Sequence, residues 1–162
     1  MEQQHLISAL DKVDGTIMHL GAGECRELQT YLATAAEQIV LVEPDPEAAQ
    51  SLRQRTHKEP RVTVIEVAVA AKGGEATLYR YNASGQATLH ALKKAPNRWP
   101  GLRQLANSPV KTLSLDQLLT QVTLADDKQH WLVVEVPGEE QQVLHAMREH
   151  ALSQRFGYLL NP

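Results

Sequence analysis

Short runs of aliphatic residues, each closed by glycine or proline and then followed by helical spacing, constrain this chain more than any other feature. Thr16-Ile17-Met18-His19-Leu20 ends in Gly21-Ala22-Gly23, after which Leu28, Tyr31, Leu32 and Ala35 recur with helical period. Gln38 to Val42 is closed by Glu43-Pro44-Asp45-Pro46, and the second proline suits the first turn of a helix reaching about Arg55. Val62 to Val69 reads as a third, buried strand bounded by Pro60 and Lys72-Gly73-Gly74, and Trp131 to Val136 as another, stopped by Pro137-Gly138 before helical spacing at Val143, Leu144 and Met147. Strands apolar on both faces cannot leave a face in water. The expected fold is therefore α/β: a Rossmann-like, mostly parallel sheet with helices on both faces.

Smaller elements fit between these. A short leading helix is expected over Leu6 to Leu10, and an antiparallel strand over the alternating Glu75 to Tyr81. A short strand is expected at Val110 to Leu113 before a helix capped by Ser114, and a last strand from Gly157. Periodicity fades from Asn82 to Ser108, where loop backbone is expected; Arg98 and Trp99 in that stretch either cover a pocket or anchor the loop. Tyr79, Arg80, Tyr81 and Asn82 either face an acceptor or decorate an exposed edge strand.

The 162 residues suffice for a single domain, 1–162. With 16 Lys plus Arg against 19 Asp plus Glu, a formal net charge of −3, no field exists to hold a polyanion, so nucleic-acid binding is not expected. No apolar stretch approaches the roughly 20 residues of a membrane span, and the start lacks a signal-peptide profile. A single cysteine, Cys25, excludes an internal disulfide and any zinc cluster built on cysteines, which fits a reducing compartment. A cytoplasmic location is the expectation.

Ligands of such sheets collect beyond the carboxyl ends of the strands. Gly21-Ala22-Gly23 offers bare backbone there, or else only a tight strand-to-helix connection. Glu43, at the next strand end and about twenty residues on, stands at the separation used to grip a ribose, or is a solvated acid before a helix. Glu135 is the first candidate for a catalytic base or an acceptor-orienting group, or else a capping or salt-bridged carboxylate; His19 is a distant second, with a core histidine as its plainer reading. Cys25 reads as a packed small side chain. His145 and His150 are not spaced as paired ligands on one helix face, and no metal is expected.

With these residues in place, the chain resembles the FkbM-type methyltransferases of the class I S-adenosylmethionine-dependent fold. The resemblance rests on His19 to Gly23, Val42 to Pro46, Glu66-Val67-Ala68, Val110 to Asp116 and Leu132 to Glu140. It implies S-adenosylmethionine as cofactor and O-methylation of a carbohydrate-like or secondary-metabolite hydroxyl. It also implies that Gly21, Ala22 and Gly23 approach the methionine part, that Glu43 and Pro44 meet the ribose, and that Glu66, Val67 and Ala68 lie beside the adenine. The sequence departs from the family's pattern at His19, where Asp is usual, and at Cys25, where a further Gly is usual. Val133, Glu135 and Pro137 stand in place of Lys, Asp and Glu in Lys-Ile-Asp-Val-Glu-Gly. Relative to that fold the usual last strands are lacking, so the domain is a piece of a longer polypeptide, a dimer through the open sheet edge, or a shortened relative. The alternative function is a catalytically degenerate methyltransferase-like domain serving as a binding or assembly module. A nicotinamide-dependent dehydrogenase would share the glycine turn and the acid, but a third glycine and a recognisable catalytic set are absent.

Overall fold

Five strands form one wholly parallel sheet in the order β3-β2-β1-β8-β9: β1 is Thr16–Leu20, β2 Gln38–Val42, β3 Val62–Ile65, β8 His130–Val134 and β9 Phe156–Leu160. The computed structural model describes residues 10, 12–82, 87–92 and 101–160, with backbone only for residues 153 and 158–160. Apart from Leu10, which is buried, the expected leading helix lies outside the described residues, as do Arg98 and Trp99.

β1 is buried along its whole length because both its faces are covered. On one side Met18, Leu20, Val40, Val42, Leu132 and Val134 pack with Leu115, Leu118, Val143 and Met147. The latter four belong to helices α3, Leu115–Leu119, and α4, Glu140–Glu149. On the other side Ile17, Ile39, Leu41 and Val133 pack with Leu28 and Tyr31 of helix α1, Leu28–Leu32, and Leu52 of helix α2, Pro46–Thr56. The alternation of a strand thus feeds two cores, and each fully buried aliphatic side chain contributes about 1.5–3 kcal/mol.

The helix signals behave as chemistry requires. Pro46 opens α2, whose Asp45 side chain accepts the N–H groups of Glu47 and Ala48. Ser114 and Gln117 form a reciprocal capping box on α3. Helix α1 is shorter than its spacing predicts, only five residues, and starts well after the glycine turn. Arg61 closes its far end by donating to the carbonyls of Leu32, Thr34 and Ala36.

The run Val62 to Val69 is not one buried strand. It breaks at Glu66-Val67, so that β3 is a half-exposed edge of the parallel sheet, while β4, Ala68–Val69, joins a second sheet of order β4-β7-β5-β6. There β5, Gly74–Tyr81, is antiparallel to its neighbours, as its alternation predicts, but it is an interior strand and not an edge. It lies between β6, Ala87–Thr88, and β7, Gln104–Leu113. The second half of the stretch read as loop, from Gln104 to Ser108, is therefore strand, held by pairing with Leu78, Tyr79 and Tyr81 rather than by apolar burial.

Candidate functional site

Strand register builds the site. Leu20, Val42, Ile65 and Val134 stand in one row across β1, β2, β3 and β8, so the residues that follow them, Gly21, Glu43, Glu66 and Glu135, all emerge at the same carboxyl rim. The rim is tied together by the N–H groups of Gly21, Glu43 and Glu135, which donate to Val42, Ile65 and Leu20 at 2.8, 3.0 and 2.9 Å.

The two glycines of the turn do different work. Gly21, at φ +76°, lies so close to β8 that a Cβ would sit 2.0 Å from the carbonyl oxygen of Glu135. Its bareness serves strand packing. Gly23, at φ +52°, would have nothing within 4 Å of an added Cβ, so its bareness leaves open space beside the backbone. Ala22 between them is buried and gives its N–H to Val42 at 3.0 Å. From α2, Arg55 donates to the Glu24 carbonyl and holds the far side of the turn.

Glu43 is buried, yet it points at this turn: one carboxylate oxygen accepts the Gly23 N–H at 2.6 Å and the other the Asp45 N–H at 2.8 Å. Loss of water raises its pKa above the ordinary value, and the two N–H bonds oppose that rise. Each oxygen keeps a further lone pair for hydroxyl donors. Pro44 is half-buried beside it. Glu66 is brought to the rim, but its carboxylate binds Arg53 at 2.7 Å; Val67 and Ala68 turn their side chains into two separate cores, leaving backbone at the rim.

Glu135 is partly exposed, with one oxygen 3.4 Å from Nε2 of His19. His19 is fully buried and shares a 3.1 Å hydrogen bond between Nδ1 and the hydroxyl of Tyr31, so the core-histidine reading holds on that side of the ring. Burial strongly raises the Tyr31 pKa and keeps its phenol neutral. Cys25 is packed in the same core, as expected, and burial pushes its thiol up to about 12.

The pairing of His90 with Glu139 escaped the sequence reading. His90 and Glu139 meet at 2.5 Å, with the imidazole 60% exposed and the carboxylate buried; Thr88 donates to the Pro137 carbonyl at 2.9 Å. These contacts seat the second sheet on the loop after β8. Arg80 stands 3.4 Å from Asp45 and donates to Ser108 at 3.0 Å. In the sequence Arg80 stands out only as part of the Tyr79 to Asn82 cluster, and its approach to Asp45 has no signal of its own. Tyr81 accepts the Leu92 N–H, and Asn82 binds Gly101 and Arg103, so this cluster is largely occupied in holding its own sheet. A groove of about 430 Å³ lies between α3 and α4, with Glu139 in its lining.

The family described as the methyltransferase FkbM domain matches residues 21–158. No curated protein sequence matches. Among solved structures, the FkbM methyltransferase of Methylobacillus flagellatus is 12% identical with a TM-score of 0.58, covering 93% of this chain and 32% of its own. Precorrin-8w decarboxylase of Methanobacterium thermoautotrophicum is 13% identical with a TM-score of 0.48, covering 99% of this chain and 61% of its own, a likeness too slight to argue from. The first of these agrees in fold, and this chain spans about a third of its length.

Proposed function

Because the chain belongs to the FkbM methyltransferase domain family, we propose that it transfers the methyl group of S-adenosylmethionine to a hydroxyl of a carbohydrate-like or secondary-metabolite acceptor. The observation that carries this reading is the pairing of Gly23, bare and beside open space, with a buried Glu43 carboxylate aimed at it. The residues fit the cofactor. Glu43 has lone pairs for two ribose hydroxyls, and its fixed position means that little side-chain freedom is lost on binding. The bound cofactor supplies an electrophilic methyl carbon on a sulfonium. Gly21, Ala22 and Gly23 shape the path past the backbone; the main chain at Glu66, Val67 and Ala68 flanks the adenine.

Methyl transfer asks the protein to align the acceptor oxygen with that carbon and to remove the hydroxyl proton. Glu135, partly exposed at the rim, is the group assigned to the proton. Incubation with labelled S-adenosylmethionine and a panel of sugars and hydroxylated metabolites tests the proposal, with label expected in the acceptor. Glu135→Gln is expected to reduce turnover roughly 100-fold or more while leaving cofactor affinity nearly unchanged; equal turnover removes its role.

A second reading, a methyltransferase-like binding or assembly module, is favoured by the proximity of Glu135 to the buried His19 and by the apolar Val133 and Pro137. On this reading a partner pairs with the sheet edge at β9. Folded protein that neither binds the cofactor nor transfers label would support it.

A further inference from the structure

We propose that His19, Cys25 and Glu27 form a site for a divalent transition ion of the zinc class beneath the glycine turn. A ring nitrogen of His19, the Cys25 sulfur and a Glu27 carboxylate oxygen all lie within 4.8 Å of one another, with His19 and Cys25 buried. This inference does not rest on methyl transfer.

Three observations converge. The His19 ring is fully buried, and its Nε2 makes no hydrogen bond; the Glu135 carboxylate oxygen 3.4 Å away is not aligned to make one, so this nitrogen's bonding capacity is unmet unless something else engages it. The other ring nitrogen meets the Tyr31 hydroxyl at 3.1 Å, the type of outer contact that fixes a ligand histidine in one orientation; with Nδ1–H donating to the phenol oxygen, Nε2 is the donor left for a metal. Cys25 is held at φ +43°, a conformation that favours glycine, which sets its sulfur in the same core as the His19 ring.

The donor set, one imidazole nitrogen, one thiolate and one carboxylate, is that of a borderline-soft ion and unlike the all-oxygen set of magnesium or calcium. In a tetrahedral zinc site with Zn–N and Zn–O near 2.0 Å and Zn–S near 2.3 Å, donor atoms stand about 3.3–3.6 Å apart. The present 4.8 Å limit therefore asks for a contraction of up to about 1.5 Å. Three protein donors leave a fourth position for water, and Glu135, 3.4 Å from Nε2, adds a second carboxylate nearby. On binding, the Cys25 thiol releases its proton to solvent and the sulfur pair forms the bond to the metal. His19 and Cys25 are also two of the positions at which the sequence departs from the pattern it otherwise resembles.

Cobalt substitution tests this directly. Chelator-treated full chain is titrated with Co²⁺, and one equivalent is expected to raise a thiolate-to-cobalt charge-transfer band in the near ultraviolet. Zn²⁺ should then bleach that band. Since Cys25 is the only cysteine, such a band identifies it, and surface histidines cannot mimic it. Tyr31→Phe should weaken binding roughly 10- to 100-fold through the freed imidazole. Glu27→Gln, at a partly exposed position, should weaken it about 10-fold or more with the fold preserved by circular dichroism. Absence of the band in folded wild-type protein overturns the proposal, as does unchanged affinity in Glu27→Gln. Loss of S-adenosylmethionine binding with the cobalt band intact would leave the metal site standing and count only against the methyltransferase reading.

Discussion

Replacing each glycine of the turn by alanine separates packing from ligand access. Both positions have positive φ, so either alanine carries a left-handed strain of about 1–2 kcal/mol, partly offset by about 0.4–1 kcal/mol from the stiffer unfolded chain. At Gly23 the balance ends there, because nothing lies within 4 Å of the new methyl group. At Gly21 the methyl would stand 2.0 Å from the Glu135 carbonyl oxygen, and that oxygen belongs to backbone. The rim of β8 must retreat by about 1 Å, adding about 1–3 kcal/mol of overpacking and straining the 2.9 Å bond from the Glu135 N–H to Leu20. Gly21→Ala is thus expected to lose about 2–4 kcal/mol and Gly23→Ala about 1 kcal/mol. With a urea m-value of about 2 kcal/mol per M, the unfolding midpoint falls by about 1–2 M in the first and about 0.5 M in the second. Equal midpoints, within about 0.25 M, would refute the distinction between the two glycines.

Other consequences are open to measurement. Burial raises the Glu43 carboxyl above its ordinary value, so the native state holds this proton more firmly than the unfolded chain; the group weakens stability above the raised pKa, and that penalty vanishes as pH falls below the ordinary one. Urea unfolding of wild type against Glu43→Gln should therefore shift in favour of wild type between neutral pH and about 4; an opposite shift contradicts the burial argument. In metal-free protein, Tyr31→Phe should cost about 1–3 kcal/mol by stripping the buried His19 Nδ1 of its partner, read from the same denaturation curves. His90→Ala should cost only about 1 kcal/mol, since water reaches the exposed imidazole's place beside Glu139, and should quicken proteolysis near residues 87–92.

The parallel sheet was legible because β1, β2 and β8 are buried on both faces and so carry almost uninterrupted aliphatic runs. Pro46 and the Ser114 capping box were legible because each acts within one turn of chain. The break at Glu66-Val67 was hidden, since neither glycine nor proline marks it and the residues on both sides are β-branched or small and apolar. The first half of β7 was hidden for the opposite reason: Gln104 to Asn107 are exposed, Leu105 at 57%, and backbone pairing with β5 alone makes them strand. At the rim, the sequence interval singled out Glu43 as a ribose candidate, while its hydrogen bond to the Gly23 N–H had no signal in the sequence. The His90 and Glu139 pair spans 49 residues and two sheets, and no local pattern announces it.

The central claim is that the Gly23 and Glu43 pair receives a nucleoside. Calorimetric titration of the folded chain with S-adenosylhomocysteine tests it most directly. One molecule is expected to bind per chain, and Glu43→Ala to weaken binding by about 1.5–3 kcal/mol for each ribose hydroxyl that the carboxylate no longer accepts, roughly 10- to 150-fold. Absence of binding at about millimolar ligand, or affinity unchanged in Glu43→Ala, would contradict the account.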